Sequence, residues 1–550
     1  MGRLWRRWGL WPVLIAALVL LNVSVTFENV WPTPKVRWVG ALSLELAACV
    51  LLVVASRGRV RPLILRALPV LWVVFVAGHY LDVTAPGLYG RDFNLYWDSQ
   101  HLGDVTAMLA RAAPWWLVVG TLVGLVLGVW AVFLLARLAF AAVAAAADRR
   151  STRAALLATA AVTIATFTVQ AAQLVPPVVP FADPVTPAYA RQARFVLAML
   201  GPAPVAPALG PSPELRSSFE ALGGADVLIV FVESYGAVAY DTPEIASPLD
   251  APRGELAAAV RDTGREVVSA YVVSPTVGAS SWLAHLSLLS GVEVRDQYAY
   301  TALMASSRET LVTSFARGGY RTVALMPGMR QPWPEGAFYG FDEIYGRTAL
   351  EYEGPEFGWW SIPDQFALAR LDALERTDAA RAPVFAVFPT STGHAPFGPV
   401  PPYQPDWSRL LTPEAFDEDE VRQAMAARPD LTDLRPSYTR AMAYEYRTLA
   451  SYLRAHPDDD FLLVALGDHQ PPAAVSGPDV PWSVPVHVFG RRGPIFDALR
   501  ARGFRDGLDP TRPAVGPMHG LTPMLLEIFD GPAVSPPDGR ATPHRSRTTR

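Results

Sequence analysis

The stretch SPTVGASSWLAHLSLLSG, residues 274–291, carries a small-residue loop straight into an apolar helical pattern, with two serines at the join. It follows the run VVSAYVV (267–273), so the chain reads strand, loop, helix here. A serine in such a place is ordinarily a cap, its oxygen accepting from an N–H left over at the helix start. Those N–H groups and the positive end of the helix dipole also suit an oxyanion. Cap or chemistry therefore turns on what else the chain brings to this point.

Further strand candidates surround the stretch: DVLIVFVE, RTVALMPG, VFAVFPT, FLLVALGDH and VPVHVFG. They are apolar on both faces, as strands covered by helices on each side must be. Helical patterns at 308–317 and 437–455 fall between them. The spacing predicts an α/β domain with a largely parallel sheet over residues 223–531. The acidic run EAFDEDEVRQ reads as a solvated loop or helix face.

The first part of the chain is different in kind. Of 550 residues 51% are hydrophobic and 18% charged, too apolar for an ordinary soluble protein, and the excess lies before about residue 175. Five segments are long enough to cross hydrocarbon: 9–27, 38–55, 62–81, 115–135 and 154–174. The first has no small-residue cleavage site and reads as an uncleaved helix. Arg3, Arg6 and Arg7 precede the first segment; Arg57, Arg59 and Arg61 separate the second from the third; Arg137, Arg149, Arg150 and Arg153 separate the fourth from the fifth. The positive-inside rule then puts the N-terminus in the cytoplasm and everything after the fifth crossing outside. Residues 1–174 are thus expected to be an α-helical membrane domain of five transmembrane helices. Glu45 falls within the second span, where an ionisable group is costly and often functional; Arg66 is near enough to the cytoplasmic side to snorkel. Residues 175–222, rich in proline, read as a connector with a short interfacial helix, and 532–550 as a disordered basic tail.

A net charge of −4 without a long basic stretch in the second half argues against nucleic acid as a partner. The single cysteine, Cys49, permits neither an intramolecular disulfide nor a thiolate metal site.

Three strand candidates end in polar residues. IVFVESYG places Glu233, TSTGHAPF places His394, and LGDHQPP places Asp468 and His469. Open α/β sheets bind ligands beyond the carboxyl ends of their strands, so all four fall where a site belongs. Each has a structural alternative: Glu233 as a helix cap, His394 bonded within its own turn. Together they offer oxygen and nitrogen ligands to a divalent ion such as Mn²⁺ or Zn²⁺. A serine held by such an ion loses its proton more readily.

The order Glu233, a helix-initial serine before LLSG, GHAPF, then GDHQPP resembles the alkaline phosphatase/sulfatase superfamily. MPGMRQPWPEGAFYGFDEIYG and GLTPMLLEIFDG are similar to two further segments of it. Membrane spans followed by such a domain resemble the lipoteichoic acid synthase group and its relatives, the phosphoglycerol transferases. Residue by residue, the resemblance implies a sulfatase-like domain with Glu233, Asp468 and His469 as metal ligands. It makes a serine both nucleophile and ligand, and sets His394 on the substrate phosphate. The family's nucleophile lies ten residues before the glycine closing the helix; counting back from Gly291 gives Ser281, with Ser280 second and Thr276 third.

Departures narrow the group. Sulfatases build formylglycine from a Cys or Ser followed by a Pro or Ala and an Arg, and SWLAH does not supply that pattern; the external domain also lacks the disulfides of lipid A phosphoethanolamine transferases. The synthase's Trp-x-Arg substrate contact has no direct match: Trp333 is followed by Pro334 and Glu335, with Arg330 upstream. His519 is a candidate second-metal ligand or phosphate contact, with a structural role as its alternative; His285 and His487 read as core residues. The resemblance implies a metal-dependent transferase in a bacterial cytoplasmic membrane, its catalytic domain outside. It would move a phosphoglycerol-type headgroup from a phospholipid donor to a glycan or glycerol-phosphate acceptor through a seryl intermediate. Mn²⁺ leads among the metals, with Zn²⁺ or Mg²⁺ as alternatives. The rival readings are a phosphate- or sulfate-ester hydrolase on the same site and an inactive sensor or scaffold.

Overall fold

The computed structural model describes residues 9–30, 35–56, 58, 60–89, 93–100, 102–103, 106, 114–200, 209–329, 333–358, 362–378, 380–477 and 480–531. The chain forms two compact units, Met1–Val205 and Ala206–Arg550.

Among the described residues of the first unit, three helices are long and apolar enough to cross a membrane: Val60–Ala85, Trp115–Ala147 and Arg150–Ala171. Two of the five expected spans form shorter apolar helices, Leu10–Val23 and Leu44–Ala55. At 1.5 Å per residue these are about 21 and 18 Å long, against roughly 30 Å of hydrocarbon. Their flanks are taken up by an antiparallel pair, β1 (Phe27–Val30) and β2 (Lys35–Trp38). The helices pack through Leu21, Val53, Trp72, Phe140 and Val143, the Trp72 and Phe140 rings meeting edge to face at 5.4 Å. Glu45 stands in the first turn of its helix, not in mid-span. Its carboxylate accepts from the Val185 N–H at 2.7 Å and the Ser43 hydroxyl at 3.0 Å, and so caps the helix Val185–Leu200 from outside.

The second unit is built on an eight-stranded sheet. All six expected strands form: β3 (Asp226–Val232), β4 (Glu266–Val273), β5 (Arg321–Met326), β7 (Val384–Pro389), β8 (Phe461–Gly467) and β9 (Ser483–Gly490). The short edge strands β6 (Glu343–Gly346) and β10 (Arg505–Asp506) were not legible. The order is β10-β4-β9-β8-β3-β7-β5-β6. The five strands from β6 to β8 are parallel, but β9 runs antiparallel to both β8 and β4, and β10 antiparallel to β4. The sheet is therefore mixed, mostly parallel; two reversals leave β4 pointing the same way as β8.

Every residue of β3 is buried, as a central strand requires. Val227, Ile229 and Phe231 enter one core with the helices Ser281–Ser290 and Leu521–Phe529. Leu228, Val230 and Val232 enter the other with Pro243–Asp262 and Arg435–Ala455. At the amino end of β3, Asp226 takes two bonds from Arg381, at 2.7 and 2.6 Å, and one from Arg376 at 3.0 Å. Burial acts to raise its pKa, but these guanidinium groups and the Val384 N–H lower it overall. The acidic run becomes the helix Glu418–Ala426, which buries no residue.

Candidate functional site

The adjacent parallel strands β3 and β8 end side by side and deliver Glu233 and Asp468 to one edge of the sheet. Ser234, at φ 59°, turns the chain sharply after Glu233 and donates its N–H to Asp468 Oδ1 at 2.8 Å and its hydroxyl to Glu233 Oε1 at 3.0 Å. The loop after β4 is docked onto the same edge: the Ser274 hydroxyl donates to the Asp468 carbonyl at 2.6 Å, and the Gly278 N–H to the Gln470 carbonyl at 2.9 Å. That docking carries the start of the helix Ser281–Ser290 to the carboxylates.

Ser281 does not cap. Its Oγ lies 3.0 Å from Glu233 Oε2 and 3.1 Å from His469 Nε2. The N-cap position belongs to Ser280, in the left-handed conformation with no side-chain cap. Ser280 is 4% exposed, and Thr276 donates back into its own loop, to the Ala279 carbonyl. Of the three sequence candidates the structure brings Ser281 to the carboxylates.

Glu233, Asp468 and His469 form the metal-ligand type cluster among the described residues, one donor atom of each lying within 4.8 Å of the others. They are 8%, 0% and 1% exposed. His469 Nδ1 faces the Gln470 carbonyl at 2.7 Å, which only accepts, so Nδ1 carries the proton and Nε2 turns to the cluster. Asp468 Oδ1 accepts from two backbone N–H groups, Ser234 and His469, while Oδ2 is buried with no hydrogen-bond partner. An orphaned carboxylate oxygen, a second carboxylate and an imidazole nitrogen around one point fit a divalent cation by donor chemistry. The electrostatics agree. Burial, then the Glu233 charge, pushes Asp468 up to about 6, and the Asp468 and Glu233 carboxylates raise His469 against its burial. Both shifts ask for positive charge at this point.

Other residues named from the sequence fall as follows. His394, on the loop after β7, lies outside that cluster but close enough to feel His469 and Asp468; burial pushes it down to about 4, and Nδ1 donates to the Ala395 carbonyl at 2.7 Å. His519 sits in the short turn Met518–Gly520 beside Glu293 and Arg295 and is not a member of the cluster. Trp333 packs on Tyr339, ring centroids 5.2 Å apart. Arg330 lies outside the described residues. His487 is a core residue, bonded to Tyr235 at 2.9 Å and Ser269 at 2.6 Å. His285, four residues beyond Ser281, meets Phe231 at a tilt, ring centroids 4.4 Å apart.

Sequence reasoning missed the residues that hold these groups. Thr390 Oγ1 accepts from the Glu233 N–H at 3.2 Å, and Asp364 binds the loop that follows. Asp364 opens a helix after Pro363, so its sequence signature is that of a helix start.

No family profile and no curated relative matches the chain. Solved structures do resemble it. The lipoteichoic acid synthase LtaP from Listeria monocytogenes is 15% identical over 58% of this chain and 75% of its own, with a TM-score of 0.37. The phosphoglycerol transferase GacH from Streptococcus pyogenes, solved with sn-glycerol-1-phosphate, is 13% identical over 57% and 77%, TM-score 0.36. The lipooligosaccharide phosphoethanolamine transferase EptA from Neisseria meningitidis, an integral membrane protein, is 15% identical over 94% and 95%, TM-score 0.45. Likeness at this level carries no activity across, and the chemistry is read from the site itself.

Proposed function

We propose that the protein is a membrane-anchored phosphotransferase that moves a substituted phosphate, of the phosphoglycerol type, from a phospholipid donor to a hydroxyl acceptor on a glycan or glycerol phosphate. The observation that carries this reading is a serine hydroxyl at a helix start, 3.0 and 3.1 Å from two members of a buried carboxylate–imidazole cluster. The motif order Glu233, Ser281, His394, Asp468–His469 supports it. Glu233, Asp468, His469 and Ser281 would hold a divalent cation, Mn²⁺ first, which supplies charge stabilisation to the transferring phosphoryl oxygens and acidity to the serine hydroxyl.

Ser281 Oγ attacks the headgroup phosphorus while Glu233 Oε2, its hydrogen-bond acceptor, holds the proton. The bond from phosphorus to the diacylglycerol oxygen breaks, and that oxygen takes the proton. A phosphoglyceryl-serine remains. The acceptor hydroxyl then attacks the same phosphorus, the Ser281 Oγ–P bond breaks, and the acceptor's proton returns to Ser281. His394 lies against the phosphate throughout. The apolar helices hold this site at a lipid donor and raise its effective concentration. Three crossings or five are both odd numbers, so a cytoplasmic N-terminus places the second unit outside in either case.

The test follows diacylglycerol release from phosphatidylglycerol by the full-length protein with Mn²⁺. Ser281→Ala should lower release by roughly a thousandfold or more while Ser280→Ala retains most of it. Release that survives Ser281→Ala refutes the nucleophile. Turnover of soluble phosphate or sulfate esters without lipid cleavage replaces the transferase with a hydrolase.

A further inference from the structure

The loop Thr390–His394 leaves β7 and passes between two parts of the site. At its start Thr390 supports the Glu233 N–H. In its middle Gly393 presses against Glu233: a Cβ there would lie 2.2 Å from the Glu233 carbonyl oxygen. At its end stands His394. Within the loop only the turn bond from the His394 N–H to the Ser391 carbonyl, at 3.2 Å, holds this path; the N–H and hydroxyl groups of Ser391 and Thr392 point the other way, into Asp364.

Asp364 is fully buried. Its Oδ1 accepts from the Ser391 N–H at 2.8 Å and the Ser391 hydroxyl at 3.1 Å. Its Oδ2 accepts from the Thr392 N–H at 2.9 Å and from the Thr392 hydroxyl. Four donors from two consecutive residues thus converge on one carboxylate, which stands only one residue of loop away from His394. As an acid in the first turn, Asp364 needs no such donors to favour its own helix, which it does through the helix dipole. Glu445 lies beside it, its carboxyl pushed up by burial and then by the Asp364 charge. Ser391, Thr392 and His394 line a shared cavity of about 20 Å³ with Phe357 and Ile362, so a shift of the loop changes the space beside the imidazole.

We propose that Asp364 is a positioning residue for His394: its carboxylate clamps Ser391 and Thr392, and so fixes the imidazole where the transferred phosphate binds. The proposal rests on the reading of His394 as a phosphate contact. It makes Asp364 dispensable for cation binding, since it touches none of Glu233, Asp468 and His469.

The experiment uses full-length protein in detergent, loaded with Zn²⁺, and orthovanadate as the phosphoryl probe. Six proteins are compared: wild type, His394→Ala, Asp364→Asn, Thr392→Val as a milder removal of one clamp donor, and the two double variants that combine His394→Ala with each of the last two. Asp364→Asn should weaken vanadate by about tenfold and Thr392→Val by about threefold, and neither should weaken it further once His394 is alanine. Zn²⁺ affinity should stay within about twofold of wild type in both. Modification of His394 by diethylpyrocarbonate, read by mass spectrometry, should quicken severalfold in Asp364→Asn, and this readout needs no phosphate site at all. Losses that multiply in either double variant, loss of Zn²⁺ affinity in step with vanadate, or an unchanged modification rate at His394 each overturn the proposal. Vanadate binding indifferent to His394→Ala, with the modification rate still raised by Asp364→Asn, would instead overturn the phosphate role of His394 and leave the clamp standing.

Discussion

Replacing Asp468 by asparagine should make the metal-free protein more stable at neutral pH while abolishing its cation affinity. The carboxyl is pushed from 3.8 up to about 6 in the folded chain, by burial and then by the Glu233 charge. The folded state therefore keeps a proton that the unfolded chain has already lost. The stabilisation tied to this group is full below about pH 4 and disappears as pH climbs through about 6. A rise of about 2 pH units, at about 1.4 kcal/mol for each, leaves the ionised form roughly 3 kcal/mol worse off at pH 7.5. Asparagine avoids that cost. Its amide oxygen can keep the Ser234 and His469 N–H bonds of Oδ1, at 2.8 and 2.7 Å, and its NH₂ takes the place of the orphaned Oδ2, 3.6 Å from His469 Nε2. Losing the attraction to His469 offsets part, so about 2 kcal/mol remains, a Tm gain of roughly 4 °C for a domain of this size. Thermal unfolding of the full-length protein in detergent with EDTA reads this directly. The gain should appear at pH 7.5 and shrink by pH 4.5, and a hundredfold excess of Mn²⁺ over its Kd should restore about 2.7 kcal/mol to wild type alone. A variant less stable than wild type in EDTA at pH 7.5, or a gap indifferent to pH, would show that Asp468 is a structural carboxylate.

Gly393→Ala sets a Cβ 2.2 Å from the Glu233 carbonyl oxygen, backbone that cannot swing aside. Stability should fall by about 2 kcal/mol or more, with a loss of Zn²⁺ affinity, both read by calorimetry. Glu45→Ala removes the acceptor for the Val185 N–H and the Ser43 hydroxyl. It should cost about 1–3 kcal/mol in detergent melts and leave Zn²⁺ affinity unchanged.

The sequence by itself determined the strands whose residues are apolar on both faces, because burial on two sides leaves no other composition for β3, β5, β7 and β8. It also marked Glu233, Asp468 and His469 as residues at strand ends. It was silent on β6 and β10, which are short edge strands, and on the direction of β9, because side-chain periodicity is the same whichever way a strand runs. Apolar length suggested five spans; the structure spends the flanks of two of them on a turn and a strand pair, and it moves Glu45 from mid-span to a helix start.

The tertiary structure decided which of two adjacent serines stands beside Glu233 and His469. Ser280 and Ser281 are alike in type and neighbours in sequence, and only the left-handed backbone at Ser280, with the loop docked on Asp468 and Gln470, turns Ser281 Oγ to the carboxylates. Asp364 lies beyond sequence reasoning for the same reason. A carboxylate at a helix start looks local in one dimension, and its four donors come from a loop that meets it only when the sheet closes.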